Sequence, residues 1–166
     1  MRFSRGMDHV NIRNFVADDR DWIVDQHMHY YAENEGFDAS FGVLVAEILD
    51  DFLSHHDPTR EAGWIAERDG QRLGSIFCVR LEKTTAKLRL FLLVDKARNM
   101  GLGKRLLQVC MDFAESKKYD GMQLWTHESH TAACALYRSV GWQLVSSQPV
   151  HSFGQDLVEQ SYTYRF

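Results

Sequence analysis

Residues 88–106 read LRLFLLVDKARNMGLGKRL, an apolar run that changes into a segment with two glycines and four basic residues. The continuous apolar stretch at its start is typical of a strand covered by helices on both faces of a sheet. The residues after Gly101 recur at helical spacing and predict a helix. A helix that begins just after a strand and glycines presents unpaired backbone N–H groups and the positive end of its dipole at one place. The stretch therefore predicts an anion site, and a phosphate is the expected ligand group.

Two familiar phosphate-binding motifs fit this turn poorly. The dinucleotide motif G-x-G-x-x-G needs a third glycine where the chain has Leu106, and it normally opens the first strand–helix–strand unit of a fold. The P-loop motif needs a glycine in place of Arg98 and a serine or threonine in place of Arg105. Residues 98–103 do match a shorter pattern, (Q/R)-x-x-G-x-(G/A), at every position.

Periodicity and turn signals outside this stretch predict the remaining elements. Before the turn they predict a strand over 9–17, a helix from Asp18 or Asp19 to Gly36, a helix over 41–52, a hairpin over 62–82 that turns at Asp69-Gly70, and a strand over 85–94. The second helix takes its apolar face from Phe41, Leu44, Val45, Ile48, Leu49 and Phe52. After the turn they predict a helix over 101–118, a strand over 121–127, a helix over 129–141, and strands over 142–153 and 157–166. The order β-α-α-β-β-β-α-β-α-β-β predicts a mixed α/β sheet.

Composition bounds the class of protein. The chain has 166 residues and a formal net charge of −4, which predicts one domain over 1–166 with its own core and argues against a nucleic-acid partner. No apolar run approaches the roughly 18 residues of a membrane span, and the N-terminus lacks the apolar segment of a secretory leader. Three widely spaced cysteines, Cys78, Cys110 and Cys134, favour packing roles in a reducing cytoplasm over disulfides.

A second motif, one strand further along the chain, resembles a signature of a known protein family. Residues 133–142 read ACALYRSVGW, which resembles the signature A-x-x-L-Y-x-x-x-G-F of the GNAT superfamily of acyl-CoA-dependent N-acetyltransferases. The glycine-bearing turn at 98–103 resembles the other signature of that superfamily. The resemblance covers essentially the whole chain and is closest to the acetyltransferase domain of MarR-GNAT fusion proteins, with no winged-helix segment expected before it. It implies a mixed, mostly antiparallel central sheet of about seven strands flanked by four helices.

The resemblance also implies an activity and a cofactor. It implies an enzyme that moves an acetyl group from acetyl-CoA to a primary amine of a small molecule or peptide, by direct attack within a ternary complex. A non-catalytic acetyl-CoA-binding regulatory module is the alternative, and a homodimer is common in the family. In the family, the turn binds the pyrophosphate of coenzyme A and the end of the fourth strand pairs with its pantetheine chain. The corresponding cofactor-binding positions here are Leu92, Leu93, Val94, Arg98, Asn99, Met100, Gly101, Leu102, Gly103, Lys104, His130 and Tyr137.

Two positions depart from the family pattern. The fourth strand of family members usually ends V-x-P, whereas this chain has Leu93-Val94-Asp95. Many members carry an asparagine that reaches the cofactor where this chain has His130. Extra charge for the pyrophosphate is expected from Arg98, Lys104 or Arg105.

Acetyl transfer to an amine requires two proton movements. The amine arrives as an ammonium ion with a pKa of about 10, and the departing thiolate belongs to a thiol with a pKa of about 8.5. The resemblance implies that Tyr137 is the general acid that protonates the thiolate. Glu33 is the first choice for the general base, because it follows the aromatic pair Tyr30-Tyr31 on the first helix. The other candidate carboxylates are Glu35, Glu47 and Glu67.

Two further predictions concern metal binding by histidines and the partner of one arginine. His127-Glu128-Ser129-His130 resembles a metal motif, but the zincin pattern H-E-x-x-H needs two histidines four residues apart on one face of a helix. Here they are three apart across a predicted strand-to-helix junction, so no metal is expected. Arg89 interrupts an apolar strand, where a charge is costly unless it is paired. It is expected either to pair with a carboxylate such as Glu67 or to clamp a carboxylate of the acceptor.

Overall fold

The computed structural model describes residues 9–166, so the expectation about a secretory leader lies outside the described residues. Within residues 9–166 the element order predicted from the sequence is confirmed, with seven strands and four α-helices. The strands are β1 (Asn11–Asn14), β2 (Ala62–Arg68), β3 (Gln71–Arg80), β4 (Thr85–Leu93), β5 (Gly121–His127), β6 (Gln143–Ser152) and β7 (Gln155–Arg165). The helices are α1 (Arg20–Glu35), α2 (Ser40–His55), α3 (Leu102–Ser116) and α4 (Thr131–Val140).

All strands belong to one sheet in the order β1-β2-β3-β4-β5-β7-β6. Among the described strands only β4 and β5 pair in parallel, and they do so through three residue pairs, Thr85–Lys87 with Gly121–Gln123. Beyond these pairs β5 remains bonded to β7 as far as His127, while the rest of β4 has no partner on that side. The sheet is therefore split along two-thirds of the length of β4, which leaves backbone groups of that strand free to bind something else.

Helices cover both faces of the sheet, as the apolar run in β4 predicted. On one face, α1 and α2 contribute Ile23, Val45, Leu49 and Phe52, which pack on Ile65 and Phe77 of the sheet. On the other face, α3 and α4 contribute Leu102, Leu106, Leu107, Cys110, Cys134 and Tyr137. Burial of each large apolar side chain contributes about 1.5–3 kcal/mol, so the two layers hold all four helices firmly on the sheet.

A buried carboxylate ties the start of α1 to the sheet. Asp19 is fully buried and accepts hydrogen bonds of 2.8 Å from both Arg13 of β1 and Arg72 of β3, and one of 2.9 Å from the amide of Val16. Burial raises the pKa of Asp19, but the hydrogen bonds from Arg13, Val16 and Arg72 outweigh it and lower that pKa to about 2. These contacts fix the N-terminal end of the helix, and hence the position of its far end at Glu35.

Three sequence expectations need correction. The first strand is shorter than 9–17 and covers only Asn11–Asn14. The buried face of α2 is rotated from the predicted one, because Gly42 packs against Met28 of α1 while Leu44 is 39% exposed. The expected Arg89–Glu67 pair is wrong, because Glu67 accepts a hydrogen bond from Arg13 at 3.0 Å.

Arg89 itself lies on β4 opposite Phe77, on the face covered by α2. Within residues 9–166 its guanidinium has no ion pair or hydrogen bond. Burial lowers the pKa of Arg89, and the charge of Asp51 partly opposes that effect. A role as a clamp for an acceptor carboxylate stays a prediction.

No helix in the described part of the chain is both long and apolar enough to cross a bilayer. Those residues also contain no group of three or more His, Cys, Asp or Glu side chains that could hold a metal ion. Cys78, Cys110 and Cys134 are free thiols and all three are buried.

Candidate active site

The split between β4 and β5 opens into a cleft of about 610 Å³. Four segments meet around it: the C-terminal turn of α1, the end of β4, the glycine turn before α3, and the N-terminal turn of α4. The cleft therefore lies at the carboxyl ends of the two parallel strands, which is where open α/β sheets bind ligands.

An irregularity in β4 shapes one wall of this cleft. The pairing of β3 with β4 slips between Ser75 and Phe77, and Leu90 has a φ of 52° in the left-handed region. A β-branched or bulky residue rarely adopts this conformation, which costs about 1–3 kcal/mol unless the surroundings impose it. Here Ser75 Oγ donates a hydrogen bond of 2.7 Å to the carbonyl of Leu90. The bulge turns the last residues of β4 away from β5, and Phe91, Leu92 and Leu93 line the cleft as a result.

The glycine turn forms the opposite wall. Asn99 and Gly101 have φ values of 62° and 78°, and the first bond of α3 runs from the amide of Arg105 to the carbonyl of Gly101 at 3.2 Å. The amides of residues 101–104 consequently donate no hydrogen bond to any described residue. A Cβ on Gly103 would lie 3.3 Å from Leu93 and 3.5 Å from Leu136, so glycine leaves room at the cleft surface. The turn is a cradle of free amides at a helix N-terminus, which suits a phosphate.

The basic residues of the turn divide into two groups. Arg98 and Lys104 line the cleft. The Arg98 guanidinium lies 4.5 Å from the ring centre of Tyr30, and its Nη2 donates to the carbonyl of Leu93 at 3.3 Å. Arg105 instead donates to the carbonyl of Val10 at 3.0 Å and is directed away from the cleft. Two of the three predicted cations are therefore placed to add positive charge near a bound phosphate.

The third wall carries a carboxylate and an imidazole. Oε1 of Glu35, the last residue of α1, lies 3.5 Å from Nε2 of His130, and their side chains are 13% and 12% exposed. Nδ1 of His130 lies 3.1 Å from the hydroxyl of Thr126, and its ring centre is 5.0 Å from that of Tyr31. Burial lowers the pKa of His130 to about 4, with smaller contributions from His127 and Arg98. Its imidazole is therefore neutral near pH 7.

Tyr137 lies on the buried side of α4. It is only 4% exposed and its ring packs against those of Phe91, Trp142 and Tyr162, at centre distances of 6.3, 5.8 and 5.9 Å. Burial raises the pKa of Tyr137, and the neighbouring Tyr31 raises it further. Its hydroxyl forms no hydrogen bond with residues 9–166 and stays protonated near neutral pH, as a proton donor must.

The structure brings together most of the positions predicted from the sequence. The cleft is lined by Leu92, Leu93, Arg98, Asn99, Gly101, Gly103, Lys104 and His130. The side chain of Leu102 is fully buried in the core instead, while Val94 and Met100 pack partly against it. None of these three residues lines the cleft, and neither does Tyr137.

The position of Glu33 does not suit the base predicted from the sequence. Its side chain is exposed and does not line the cleft, whereas that of Glu35 does. Helical geometry is the reason, because residues two apart point to nearly opposite sides of a helix while residues four apart share a face. Glu35 is four residues after Tyr31, so that spacing is the signal that points to it.

The chain matches one family model. Residues 20–142 match the model of the Acetyltransferase (GNAT) family, which is more than half of the chain. The chain belongs to the GNAT acetyltransferase family. The rat protein N-acetyltransferase family 8 member 3 is 30% identical over 104 residues, which cover 60% of this chain and 44% of the relative. The chain therefore spans less than half the length of that relative.

Solved GNAT structures share the fold at low sequence identity. A putative acetyltransferase, yncA from Salmonella typhimurium, solved with its cofactor acetyl-CoA, has a TM-score of 0.79 at 16% identity, covering 95% of this chain and 94% of its own. The ribosomal-protein-alanine N-acetyltransferase of Brucella melitensis has a TM-score of 0.77 at 19% identity, covering 94% and 99%. The α/β GNAT architecture expected from the two sequence motifs is thereby confirmed.

Proposed function

We propose that this GNAT protein moves an acetyl group from acetyl-CoA to a primary amine of a small molecule or peptide, by direct attack in a ternary complex. One observation carries the proposal: a single cleft joins a cradle of free amides, an unpaired edge of β4 and a nearly buried carboxylate–imidazole pair. The name of the rat relative, an N-acetyltransferase, and the acetyl-CoA in the Salmonella typhimurium structure support it.

The two walls of the cleft fit the two polar parts of coenzyme A. The free amides of residues 101–104 at the α3 N-terminus suit a pyrophosphate, and Lys104 and Arg98 add positive charge beside them. Between its three pairs with β5 and its end at Leu93, β4 presents an open backbone edge. An extended chain that carries amides, such as pantetheine, can hydrogen-bond to that edge as an added strand would. We assign Leu92, Leu93 and Val94 to this pairing.

Bound acetyl-CoA supplies a thioester, whose carbonyl carbon is the electrophile for the amine. The residues of this chain have to hold that carbonyl in line with the amine and move two protons. We assign Tyr137 as the general acid that protonates the thiolate, because it is protonated and lies against Phe91 of the β4 wall. A phenol beside the sulfur has no purpose in a regulatory module that only binds acetyl-CoA.

Thermal unfolding with acetyl-CoA, NADH or ATP tests the cofactor first. A ligand at 100 times its Kd adds about 2.7 kcal/mol to the free energy of unfolding. We expect stabilisation by acetyl-CoA and not by NADH or ATP at equal concentration, followed by thiol release when primary amines are added. Binding without thiol release from any amine would support the regulatory module, and a larger effect of NADH or ATP would refute the acetyltransferase proposal.

Three finer expectations belong with this proposal. The likeness to the catalytic domain of MarR-GNAT fusion proteins stays a prediction, as does formation of a homodimer, which sedimentation velocity would measure. We also propose that the protein acts in the cytoplasm. Its three buried free thiols are consistent with a reducing compartment.

A further inference from the structure

A second, smaller pocket of about 130 Å³ lies between α2 and strands β3 and β4. Its apolar lining includes Phe52 of α2 and Phe77 of β3, and its charged lining residues are Asp51, Glu61, Arg80 and Arg89. None of the described residues that line it also lines the cleft of the candidate active site. Since a water molecule takes up about 30 Å³ in the liquid, the pocket can hold about four waters or one small organic molecule.

Arg89 brings to this pocket a cation that does not pair with the rest of the described chain. The residue is half-buried on β4, and its guanidinium has no ion pair or hydrogen bond within residues 9–166. A guanidinium carries five N–H donors, and removing it from water without an acceptor is unfavourable. A carboxylate matches its planar donors well, because it can accept two parallel hydrogen bonds. Arg89 is therefore a candidate binding group for the carboxylate of a ligand.

Asp51 lines the same pocket from α2 and supplies the opposite charge. Its carboxylate partly opposes the effect of burial on the pKa of Arg89, yet the two side chains form no ion pair. The described partner of Asp51 is Nδ1 of His55 at 3.2 Å, and these two side chains are 79% and 75% exposed. Exposed pairs of this kind are weak. The two charges in the pocket are therefore held apart, and the Asp51 carboxylate is available to a ligand cation.

The remaining charged residues leave the formal charge of the pocket balanced. Both carboxylate oxygens of Glu61 accept backbone hydrogen bonds of 2.9 Å, from the amides of Asp57 and Arg80. The four charged lining residues thus supply two positive and two negative groups. A simple anion would be repelled by the carboxylates, and a simple cation would be repelled by the arginines. A ligand that carries one charge of each sign is attracted at both ends.

We propose that this pocket binds a small zwitterionic amino acid, whose carboxylate accepts hydrogen bonds from Arg89 and whose ammonium group binds Asp51. A short apolar side chain on the same carbon atom then contacts the apolar lining at Phe52 and Phe77. Such a ligand satisfies both charged groups of the pocket at once, because its own charges are of opposite sign and close together. The volume of the pocket limits the ligand to an amino acid about the size of alanine or valine.

The proposed site is separate from the candidate active site, and it does not depend on the proposed acetyl transfer. A loop of four residues joins Glu35 in the cleft to the start of α2 at Ser40. Asp51 lies eleven residues beyond Ser40, which is about 16 Å along the helix axis. The ammonium and carboxylate of an α-amino acid are attached to one carbon atom. Such a molecule cannot bind Arg89 and Asp51 and place its nitrogen in the cleft at the same time.

An NMR titration of the isotope-labelled protein with L-alanine measures both the affinity and the location of binding. We expect shifts of the Phe52, Phe77 and Leu90 amides, little change in the glycine turn, and a Kd on the order of 1–10 mM for so small a ligand. Propionate lacks the ammonium group and ethylamine lacks the carboxylate. Each of these two analogues should bind at least about tenfold more weakly than L-alanine.

Single substitutions test the two charged groups separately. Arg89→Met and Asp51→Asn should each weaken L-alanine binding by about tenfold or more, because each removes one charged partner. Arg89→Lys keeps the charge without the planar donors and should give an intermediate affinity. Glu47→Gln is the matched control, since Glu47 is exposed on α2 one helical turn before Asp51 and does not line the pocket. The unfolding temperature of each variant is measured alongside, and the exposed position of Asp51 keeps the test valid if Arg89→Met does not fold.

Several results would overturn the proposal. The absence of any shift with L-alanine at about ten times the expected Kd would show that the pocket holds water only. Equal binding of propionate would show a simple anion site, and unchanged affinity in Arg89→Met and Asp51→Asn would exclude both groups. Thiol release from acetyl-CoA with L-alanine that is lost in Arg89→Met, but kept with ethylamine, would assign Arg89 to the acceptor site instead. The absence of thiol release with any amine would refute the proposed acetyl transfer and leave the amino-acid site unaffected.

Discussion

The two glycines of the turn at 98–103 should respond to alanine in opposite ways. Gly103 lies in the first turn of α3, and a Cβ there meets side-chain methyl groups of Leu93 and Leu136 at 3.3 and 3.5 Å and the ring of Phe91 at 3.7 Å. Alanine is favoured over glycine within a helix by about 0.5–1 kcal/mol, and the contact with Leu93 offsets a small part of this. Gly103→Ala should therefore leave the free energy of unfolding unchanged or raise it by about 0.5 kcal/mol.

The same methyl group should weaken acetyl-CoA binding. It would project at the cleft surface formed by the free amides, where a phosphate oxygen has to approach to hydrogen-bond distance. Loss of one hydrogen bond to a charged group costs about 1.5–3 kcal/mol. Since about 1.4 kcal/mol corresponds to a tenfold change in affinity, the Kd for acetyl-CoA should rise by about 10- to 100-fold.

Gly101→Ala provides the comparison within the same turn. A Cβ at Gly101 meets nothing within 4 Å, but the residue has a φ of 78°. The left-handed conformation costs a residue with a side chain about 1–2 kcal/mol. This variant should lose that much stability, which lowers the unfolding temperature by roughly 2–8 °C for a chain of this size.

Calorimetry for acetyl-CoA binding and denaturant unfolding for stability measure both effects on the same samples. A stable Gly103→Ala protein that binds acetyl-CoA within about twofold of wild type would show that these amides do not hold the pyrophosphate. Equal destabilisation of Gly101→Ala and Gly103→Ala would contradict the prediction that only position 101 requires a left-handed backbone and that position 103 has room for a methyl group.

Three further predictions concern single side chains. Tyr137→Phe should reduce kcat for thiol release by about 100-fold while leaving acetyl-CoA affinity unchanged, and an equal loss in Tyr31→Phe would argue that neither phenol is a specific acid. The pKa of Asp19 is about 2 in the folded protein and 3.8 in the unfolded chain. The contribution of Asp19 to the free energy of unfolding is therefore complete above about pH 4 and is lost as the pH falls towards 2. Wild type should lose on the order of 1–2 kcal/mol over that range, allowing for partly exposed arginine partners, and Asp19→Asn should show no such component in acid unfolding curves. Arg89→Met should leave the free energy of unfolding unchanged or raise it by up to about 1 kcal/mol, because the guanidinium is half-buried and has no partner within residues 9–166. A loss of stability in denaturant unfolding would reveal a partner for it.

The placement of the acid–base groups shows where sequence reasoning stops. The aromatic pair Tyr30-Tyr31 indicated that the end of α1 faces the site, and Tyr31 does line the cleft. The predicted base Glu33 is exposed and does not line the cleft, because a two-residue step turns its side chain to the solvent side of the helix. Even a correct choice of helix face would not have revealed the contact with His130. That residue lies 95 positions later in the chain, just before α4, and comes within 3.5 Å of Glu35 only in the folded protein.

Local sequence patterns were enough to predict the helices and strands of this protein and the glycine turn with its free amides. Glycines at positive φ end α1 and α4 and begin α3, Asp69-Gly70 turns the β2–β3 hairpin, and apolar periodicity identifies strands and helices. These signals act over a few neighbouring residues, so they can be recognised from the sequence. The tertiary structure alone decided that β4 leaves β5 after three residue pairs, that Arg89 has no ion pair or hydrogen bond with the described residues, and that Glu35 lies 3.5 Å from His130. Those features depend on the packing of distant segments, whose contacts no local pattern in the chain encodes.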